Sequence, residues 1–363
     1  MSEAFDWPEL AFSFTEDQFQ PTPLIELPRL AQHIGVGSVL VKVETERPLG
    51  NFKVLGGFTV ALKILAKAVG AEDLHELKAV GLSGDSMPRL ICASDGNHGL
   101  AVAAAAKAAR TRASIFLPAA VSETRVKRIV AAGGEVDPIA GTYDDAVRYA
   151  AGAAARGEGL LVPDTSADPE DPVVREVMAG YTLLTRELLT QLQSRAHKYP
   201  SHLFVQAGVG GLAAAMAEGL WAVMQKPKRI FTVGSATAAC VAAGLAAGQP
   251  VHIPGNLETS AEMLSCGIAS APALKILQRF DTRPLVVSEG LLQTAVAALR
   301  EAGGPMCTIS GAAGLAGLLH IAESPSLRTS HHLSADSTVL LTPGISGNYS
   351  RISFENKTRR IGE

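Results

Sequence analysis

Lys53 stands at the end of the run Pro48-Leu49-Gly50-Asn51-Phe52-Lys53, between an extended apolar stretch (Val39 to Val43) and an apolar stretch of helical character (Val54 to Ala66). A lysine in low-dielectric surroundings has its pKa lowered, which frees the amine to act as nucleophile or base and to form a Schiff base with a carbonyl cofactor. Taken alone, Lys53 reads as a surface lysine at a helix start. A second element shifts that balance. Gly208-Val209-Gly210-Gly211 follows the buried-strand pattern His202 to Gln206 and precedes the alanine- and leucine-rich stretch Leu212 to Met224. Strand, glycine turn and helix together point free N–H groups and the positive end of a helix dipole at an anion. Without a ligand the same glycines make only a tight turn. Their spacing matches neither Gly-x4-Gly-Lys-Ser/Thr nor a full Gly-x-Gly-x-x-Gly with its downstream acid. A lysine and a phosphate cup together point to pyridoxal 5′-phosphate.

The third element is Ala93-Ser94-Asp95-Gly96-Asn97-His98-Gly99, set between the apolar Leu90-Ile91-Cys92 and the helix former Leu100 to Ala109. Amides at such a helix start can hold a carboxylate, and Asn97 offers an amide donor. The simpler role for Asp95 or Asn97 is a helix cap, and for His98 an ordinary position at a helix start.

The elements that must position these residues alternate between strand-like and helix-like. Ala113 to Leu117 is followed by Ser122 to Ala132, with Val126, Ile129 and Val130 at helical spacing; Gly134 to Val136 is followed by Tyr143 to Ala154, and Leu160 to Val162 by the long amphipathic stretch Val173 to Leu192. The pattern restarts with Leu203 to Val205, Arg229 to Val233 and Thr338 to Leu341. Such alternation predicts an α/β protein with parallel sheets, with ligands at the carboxyl ends of the strands. Residues 71–89 read as a surface loop, and the polar stretch 193–198 places a boundary near 185–200.

Composition narrows the function classes. The 363 residues are 47% hydrophobic and 18% charged, enough for two domains or one large domain with a substantial core. A net charge of −3 gives no reason to expect nucleic acid or an acidic membrane as partner. Cys92, Cys240, Cys266 and Cys307 lack Cys-x-x-Cys spacing and read as reduced core thiols, with no metal-ligand pattern. The amino terminus Met1 to Asp6 has no signal-peptide layout, which predicts a cytoplasmic protein, and no uncharged apolar run approaches the ~18 residues of a membrane span.

In order and type, Asn51-Phe52-Lys53-Val54-Leu55-Gly56-Gly57, Ser94 to Gly99 and Gly208 to Gly211 resemble the motifs of fold-type II pyridoxal-phosphate enzymes, the group of threonine and serine dehydratases, cysteine synthase and the tryptophan synthase β chain. Glu44-Thr45-Glu46-Arg47, Thr142 to Val147, Asp164-Thr165, Met178 to Thr182 and Gln206 to Gly210 look in particular like diaminopropionate ammonia-lyase, and the resemblance runs from about Pro21 to Asn348. It implies two doubly wound parallel-sheet domains with the cofactor in the cleft: residues 1–63 plus 186–363 as the large cofactor-binding domain, and 64–185 as a small substrate-gating domain. It implies a homodimer acting on a small amino acid by α,β-elimination to a 2-oxo acid (pyruvate) and ammonia. β-Replacement, or elimination from a hydroxy or modified amino acid, is the alternative on the same scaffold.

The resemblance also implies roles. Lys53 would carry the cofactor as a Schiff base. Gly208, Val209, Gly210, Gly211 and Leu212 would bind its phosphate through main-chain N–H groups, and Asn97 would bond its 3′-oxygen. The amides of Ser94, Gly96, Asn97 and His98 would take the substrate carboxylate. Diaminopropionate ammonia-lyases accept both enantiomers, which requires a base on each face of the substrate. Lys53 serves one face, Asp95 matches the second base, and Asp164 matches the acid that assists it, although Asp164 also reads as a loop cap. Two carboxylates in one site would raise the pKa of one of them. A hydroxyl is expected near the pyridine nitrogen: Thr342 by its place at a strand end, Ser346 as second choice. Here the chain reads Thr342-Pro343-Gly344-Ile345-Ser346, where the lyases carry a Thr-Glu-Gly-Asp-like turn, a departure that bears on the substrate. Ser310 to Gly314 resembles a pocket-lining turn, and Glu258 and Glu262 read as ordinary carboxylates that could face the site.

Overall fold

The computed structural model describes residues 20–83, 87–194 and 198–342. Ten strands fall into two sheets: β1 (Leu24–Glu26), β2 (Ser38–Lys42), β3 (Leu90–Ala93), β4 (Ala113–Pro118), β5 (Glu135–Ile139), β6 (Leu160–Leu161), β7 (His202–Gln206), β8 (Arg229–Ser235), β9 (Arg283–Val287) and β10 (Thr338–Leu341). One sheet has the order β1-β2-β10-β7-β8-β9 and the other β5-β4-β3-β6. Every pairing is parallel except β1 with β2. Helices cover both faces, so β3, β7 and β10 are buried along their whole length and read as continuous apolar runs. Leu340 lies opposite both Leu40 and Leu203, which fixes β10 as the centre of the larger sheet.

The strands of the four-stranded sheet all come from residues 90–161 and those of the six-stranded sheet from 24–42 and 202–341. Helix Pro172–Ser194 runs unbroken through residue 185, so the chain passes between the two sheets along a helix and not through a linker.

One expectation fails outright. Residues 74–82 form a helix, not a surface loop: the Asp73 carboxylate accepts the amide of Glu76, and Leu77 is fully buried. Gly81, inside this helix, lies where any Cβ would sit 2.6 Å from the Ala109 carbonyl oxygen. Close approach of two segments, and not a turn, explains that glycine.

Lys53 is positioned from two sides. It opens a π-helical turn, Val54–Phe58, before the α-helix Thr59–Val69 takes over. Such turns are rare and concentrate at functional sites. The turn packs on helix Pro172–Ser194 through facing glycines, for a Cβ on Gly180 would lie 2.7 Å from the Gly56 Cα. A Cβ on Gly56 would lie 2.2 Å from the Val177 carbonyl oxygen. Gly56→Ala therefore forces the turn away from the helix, at a cost of about 1–3 kcal/mol for an overpacked contact. The denaturation midpoint and the amount of bound cofactor should both fall; unchanged cofactor content would show that the turn does not set the Lys53 position.

On the other side, a buried ionic network ties the chain just before Lys53 to the same helix. Arg47 donates to both oxygens of Glu44 (3.0 and 2.7 Å) and of Glu187 (2.7 and 2.8 Å), and Lys42 donates to Glu187 at 2.6 Å. Two cations face two anions, all at most 8% exposed. Burial opposes the Glu187 charge, but Arg47 and Lys42 hold its carboxyl below the usual carboxylate range. The network thus stabilises the fold above that range, and the contribution fades as pH falls through the depressed pKa. Glu187→Gln leaves two buried cations sharing one anion. It should destabilise by about 3–5 kcal/mol in chemical denaturation; a loss under about 1 kcal/mol would mean that water replaces the carboxylate.

All four cysteines are free thiols, three of them buried. Among the described residues no helix is long and apolar enough to cross a membrane.

Candidate active site

The carboxyl ends of adjacent strands bring the chemistry together. In the larger sheet Gly208 to Gly211 follow β7 and Thr342 follows β10, while Lys53 lies eleven residues beyond the end of the neighbouring β2. In the smaller sheet Ser94 to Asn97 follow β3, and Asp164 follows the neighbouring β6. Lys53, Asp95, Asn97, Asp164, Gln206 and the loop from Gly208 to Leu212 all line one narrow pocket, closed by Tyr143, Met263 and Cys266. It opens through Asp95 and Tyr143 into a vestibule of about 490 Å³.

At the centre, the Lys53 ammonium donates to Asp164 Oδ2 at 2.5 Å, and the Tyr143 hydroxyl donates to Asp164 Oδ1 at 2.6 Å. Phe52 meets the Tyr181 ring edge to face at 5.1 Å, which orients the residue before Lys53. The Tyr181 hydroxyl is buried close to Lys53 but makes no hydrogen bond of standard geometry.

Burial does work against the Lys53 charge, as its sequence context predicts, but the Asp164 carboxylate outweighs it and raises the pKa above the ordinary lysine value. The expectation of a lowered lysine pKa is therefore overturned by an anion 111 positions away. Burial likewise opposes the Asp164 charge, and Lys53, His98 and the two hydrogen bonds hold that carboxyl well below its usual range. Asp95 behaves oppositely: burial, with the Asp164 charge adding to it, pushes its pKa up to about 6 against the pull of Lys53 and Arg125. One carboxylate stays ionised as the lysine's partner. The other takes up and releases protons near neutrality, as a general base needs.

The loop after β7 has the form of an anion cradle. The carbonyls of Gly208, Val209 and Gly210 are all engaged, by the Cys240 thiol (3.2 Å), the Ser270 amide (3.0 Å) and the Ala214 amide (3.0 Å). The amides from Gly208 to Leu212 have no acceptor among the described residues, and helix Gly211–Leu220 starts here. Gly210 sits at φ +101°, a conformation that favours glycine. At the end of β10 the Thr342 hydroxyl is buried with no partner among the described residues, behind Gln206, whose amide donates to the Thr342 carbonyl at 2.7 Å. Acceptor-free amides and a lysine on one pocket, with the Thr342 hydroxyl next to its wall residue Gln206, fit a phosphorylated pyridine aldehyde. Ser346 lies outside the described residues.

The turn after β3 differs from expectation. Neither Asp95 nor Asn97 caps the helix Asn97–Ala108; Ser94 Oγ instead accepts the amides of Gly96 and Gly99, both at 2.9 Å. The Ser94 amide donates to the Phe116 carbonyl at 3.0 Å. Ser94 and Gly96 therefore organise the turn and have no amide to spare for a carboxylate, whereas the amides of Asn97 and His98 have no acceptor among the described residues. The His98 imidazole is buried outside the pocket wall, bonded through Nε2 to the Val162 carbonyl at 2.8 Å, and burial lowers its pKa. It ties the helix to the end of β6, leaving only its main chain near the site. Asn97 Nδ2 rests on the Met263 sulfur at 3.0 Å, a weak acceptor that a better one can displace. Ser310 does not line the pocket; its hydroxyl holds the Met263 amide at 3.1 Å. Glu258 and Glu262 line the vestibule.

Sequence reasoning missed Tyr143, Gln206 and Met263 as wall residues. For Tyr143 a local signal existed: Thr142 and Asp145 form a capping box that starts helix Tyr143–Ala155 at that residue.

A model of the family "pyridoxal-phosphate dependent enzyme" matches residues 15–344. A diaminopropionate ammonia-lyase of Salmonella typhimurium is 32% identical over 268 residues, 71% of this chain and 66% of that protein. The crystal structure of the Escherichia coli diaminopropionate ammonia-lyase in complex with D-serine is 27% identical with a TM-score of 0.82, over 93% of this chain and 88% of that one. The same enzyme bound to an aminoacrylate–PLP azomethine reaction intermediate gives a TM-score of 0.80 at 26% identity, again over 93% and 88%. With the phosphate cradle, the lysine and this shared architecture in place, the chain belongs to the pyridoxal-phosphate-dependent enzymes, in their fold-type II group.

Proposed function

We propose that the protein is an ammonia-lyase that eliminates the β-substituent of a small amino acid, with 2,3-diaminopropionate as the substrate that fits it best, giving pyruvate and two ammonia. The observation that carries this reading is the pairing of Lys53 with Asp164 at 2.5 Å in a pocket that also holds Asp95, whose pKa of about 6 suits a second base. When bound, the cofactor supplies an electron sink for negative charge developing at the substrate α-carbon.

The chain's own groups do the rest. The 208–212 amides and the helix dipole behind them would hold the phosphate. Thr342 is the hydroxyl that would serve the pyridine nitrogen. The Asn97 and His98 amides would orient the substrate carboxylate, and the Asn97 side chain would bond the cofactor 3′-oxygen. Once released from the cofactor as a free amine, Lys53 would take the α-proton of one enantiomer and Asp95 that of the other, while Asp164, steadied by Tyr143, would hold the resulting Lys53 ammonium until the amine returns to the cofactor. Residues 64–185 act as the smaller unit that closes over substrate, and the protein works as a cytoplasmic homodimer.

The test is a substrate comparison on the purified holoprotein: 2,3-diaminopropionate, serine and threonine, each with and without an added thiol. Pyruvate and ammonia should form fastest from 2,3-diaminopropionate. A new thioether amino acid in place of pyruvate would show a β-replacement enzyme, and a marked preference for serine or threonine a dehydratase.

A further inference from the structure

Residues 256–265 form one rim of the vestibule and also supply Met263 and Leu264 to the inner pocket. The larger-sheet side anchors this segment from behind. The Glu289 carboxylate accepts from Thr259 Oγ1 (2.7 Å), the Ser260 amide (2.7 Å) and Ser260 Oγ (2.5 Å), as well as from Ser235 Oγ (2.7 Å) at the end of β8. From the smaller-sheet side Arg125 reaches across to it. Arg125, on helix Glu123–Ala131, donates one guanidinium nitrogen to the Asp95 carbonyl at 3.2 Å and another to the Glu262 carboxylate. Its aliphatic stem lies against Gly96, where a Cβ would come within 3.1 Å of Arg125 Cδ at φ +145°. The Arg125 side chain is 11% exposed and that of Glu262 58%. An ion pair with one exposed member gains little net energy, so it can open for substrate entry and close again.

We propose that Arg125 is the positioning residue for the second base: by bridging the Asp95 main chain to Glu262 across the vestibule it holds the Asp95-Gly96 peptide, and so the Asp95 carboxylate, where it can take a proton. The inference rests on the ammonia-lyase reading and adds to it a residue of the vestibule wall that lies outside the inner pocket. Arginine suits the task because its planar fork serves two acceptors at once, whereas lysine offers a point charge.

The test uses holoprotein carrying Arg125→Met, Arg125→Lys, Glu262→Gln and the double variant Arg125→Met/Glu262→Gln. Arg125→Met should lower kcat/KM by about 10–10²-fold, the effect of a small misplacement of a reacting group, for the enantiomer that Asp95→Asn impairs, and far less for the other. Arg125→Lys should fall between wild type and Arg125→Met. Glu262→Gln should shift the enantiomer ratio in the same direction, and the double variant should be no worse than Arg125→Met, because both remove one shared interaction. Equal losses on both enantiomers, or additive losses in the double variant, would overturn the assignment. Hydrogen exchange gives a readout independent of turnover: Arg125→Met should raise exchange at the amides of 95–97 and of 261–265 together. Unchanged exchange in either segment would refute the bridge. Failure of the wild type to turn over either enantiomer, with the exchange coupling intact, would sink the ammonia-lyase reading and leave the bridge standing.

Discussion

Replacing Lys53 by alanine should abolish steady turnover. Proton transfer by a positioned side chain contributes about 10²–10⁴-fold, and here the amine that carries the cofactor is lost with it. The visible absorbance band that borohydride removes from the wild type should be missing from Lys53→Ala. The phosphate cradle from Gly208 to Leu212 and the buried Thr342 hydroxyl are untouched, so the variant should still retain cofactor, more weakly. Asp164 then loses its 2.5 Å partner and is left a buried carboxylate whose pKa must rise. Steady turnover in Lys53→Ala, or a borohydride-sensitive band that maps to another lysine, would remove Lys53 from the chemistry.

Asp95→Asn should separate the two enantiomers. The amide keeps the shape of the carboxylate but cannot accept a proton, so the enantiomer whose α-proton faces Asp95 should lose about 10²–10⁴-fold in kcat/KM. The other, served by Lys53, should change little. The same residue sets an acid limb. With a pKa of about 6, Asp95 is ionised and competent above that pH, and protonated and inactive as a base below it. In the wild type, kcat/KM for the Asp95-dependent enantiomer should therefore fall as pH drops through about 6, and the limb should vanish in Asp95→Asn. Equal losses on both enantiomers, with the limb retained, would make Asp95 structural.

What could be read from the sequence was what neighbouring residues decide among themselves. The Gly208 loop was legible because the strand, glycines and helix that make an anion cradle are contiguous. So was the alternation that gives parallel sheets. Contacts across the fold were not. The Lys53 pKa was misjudged because its sign depends on Asp164, which only folding brings to 2.5 Å. Asp164 in turn owes its geometry to Tyr143, from a helix on the other side of β6. Ser94 looked like one more amide donor, but its amide is taken by the Phe116 carbonyl, while its hydroxyl accepts the amides of Gly96 and Gly99. Strand β9 was not singled out in the sequence; it opens with Arg283-Pro284 at the edge of the sheet, where proline is tolerated. The helix at 74–82 was read as part of a mixed, glycine-bearing loop, although Gly81 is required there by packing and not by a turn.

The most direct test of the two-base ammonia-lyase account is pyruvate release from D- and L-2,3-diaminopropionate, measured separately on the wild-type holoprotein. The account predicts that both enantiomers yield pyruvate with two ammonia. Turnover of one enantiomer alone would contradict the pairing of Lys53 with Asp95 as bases, and turnover of neither would contradict the ammonia-lyase assignment itself.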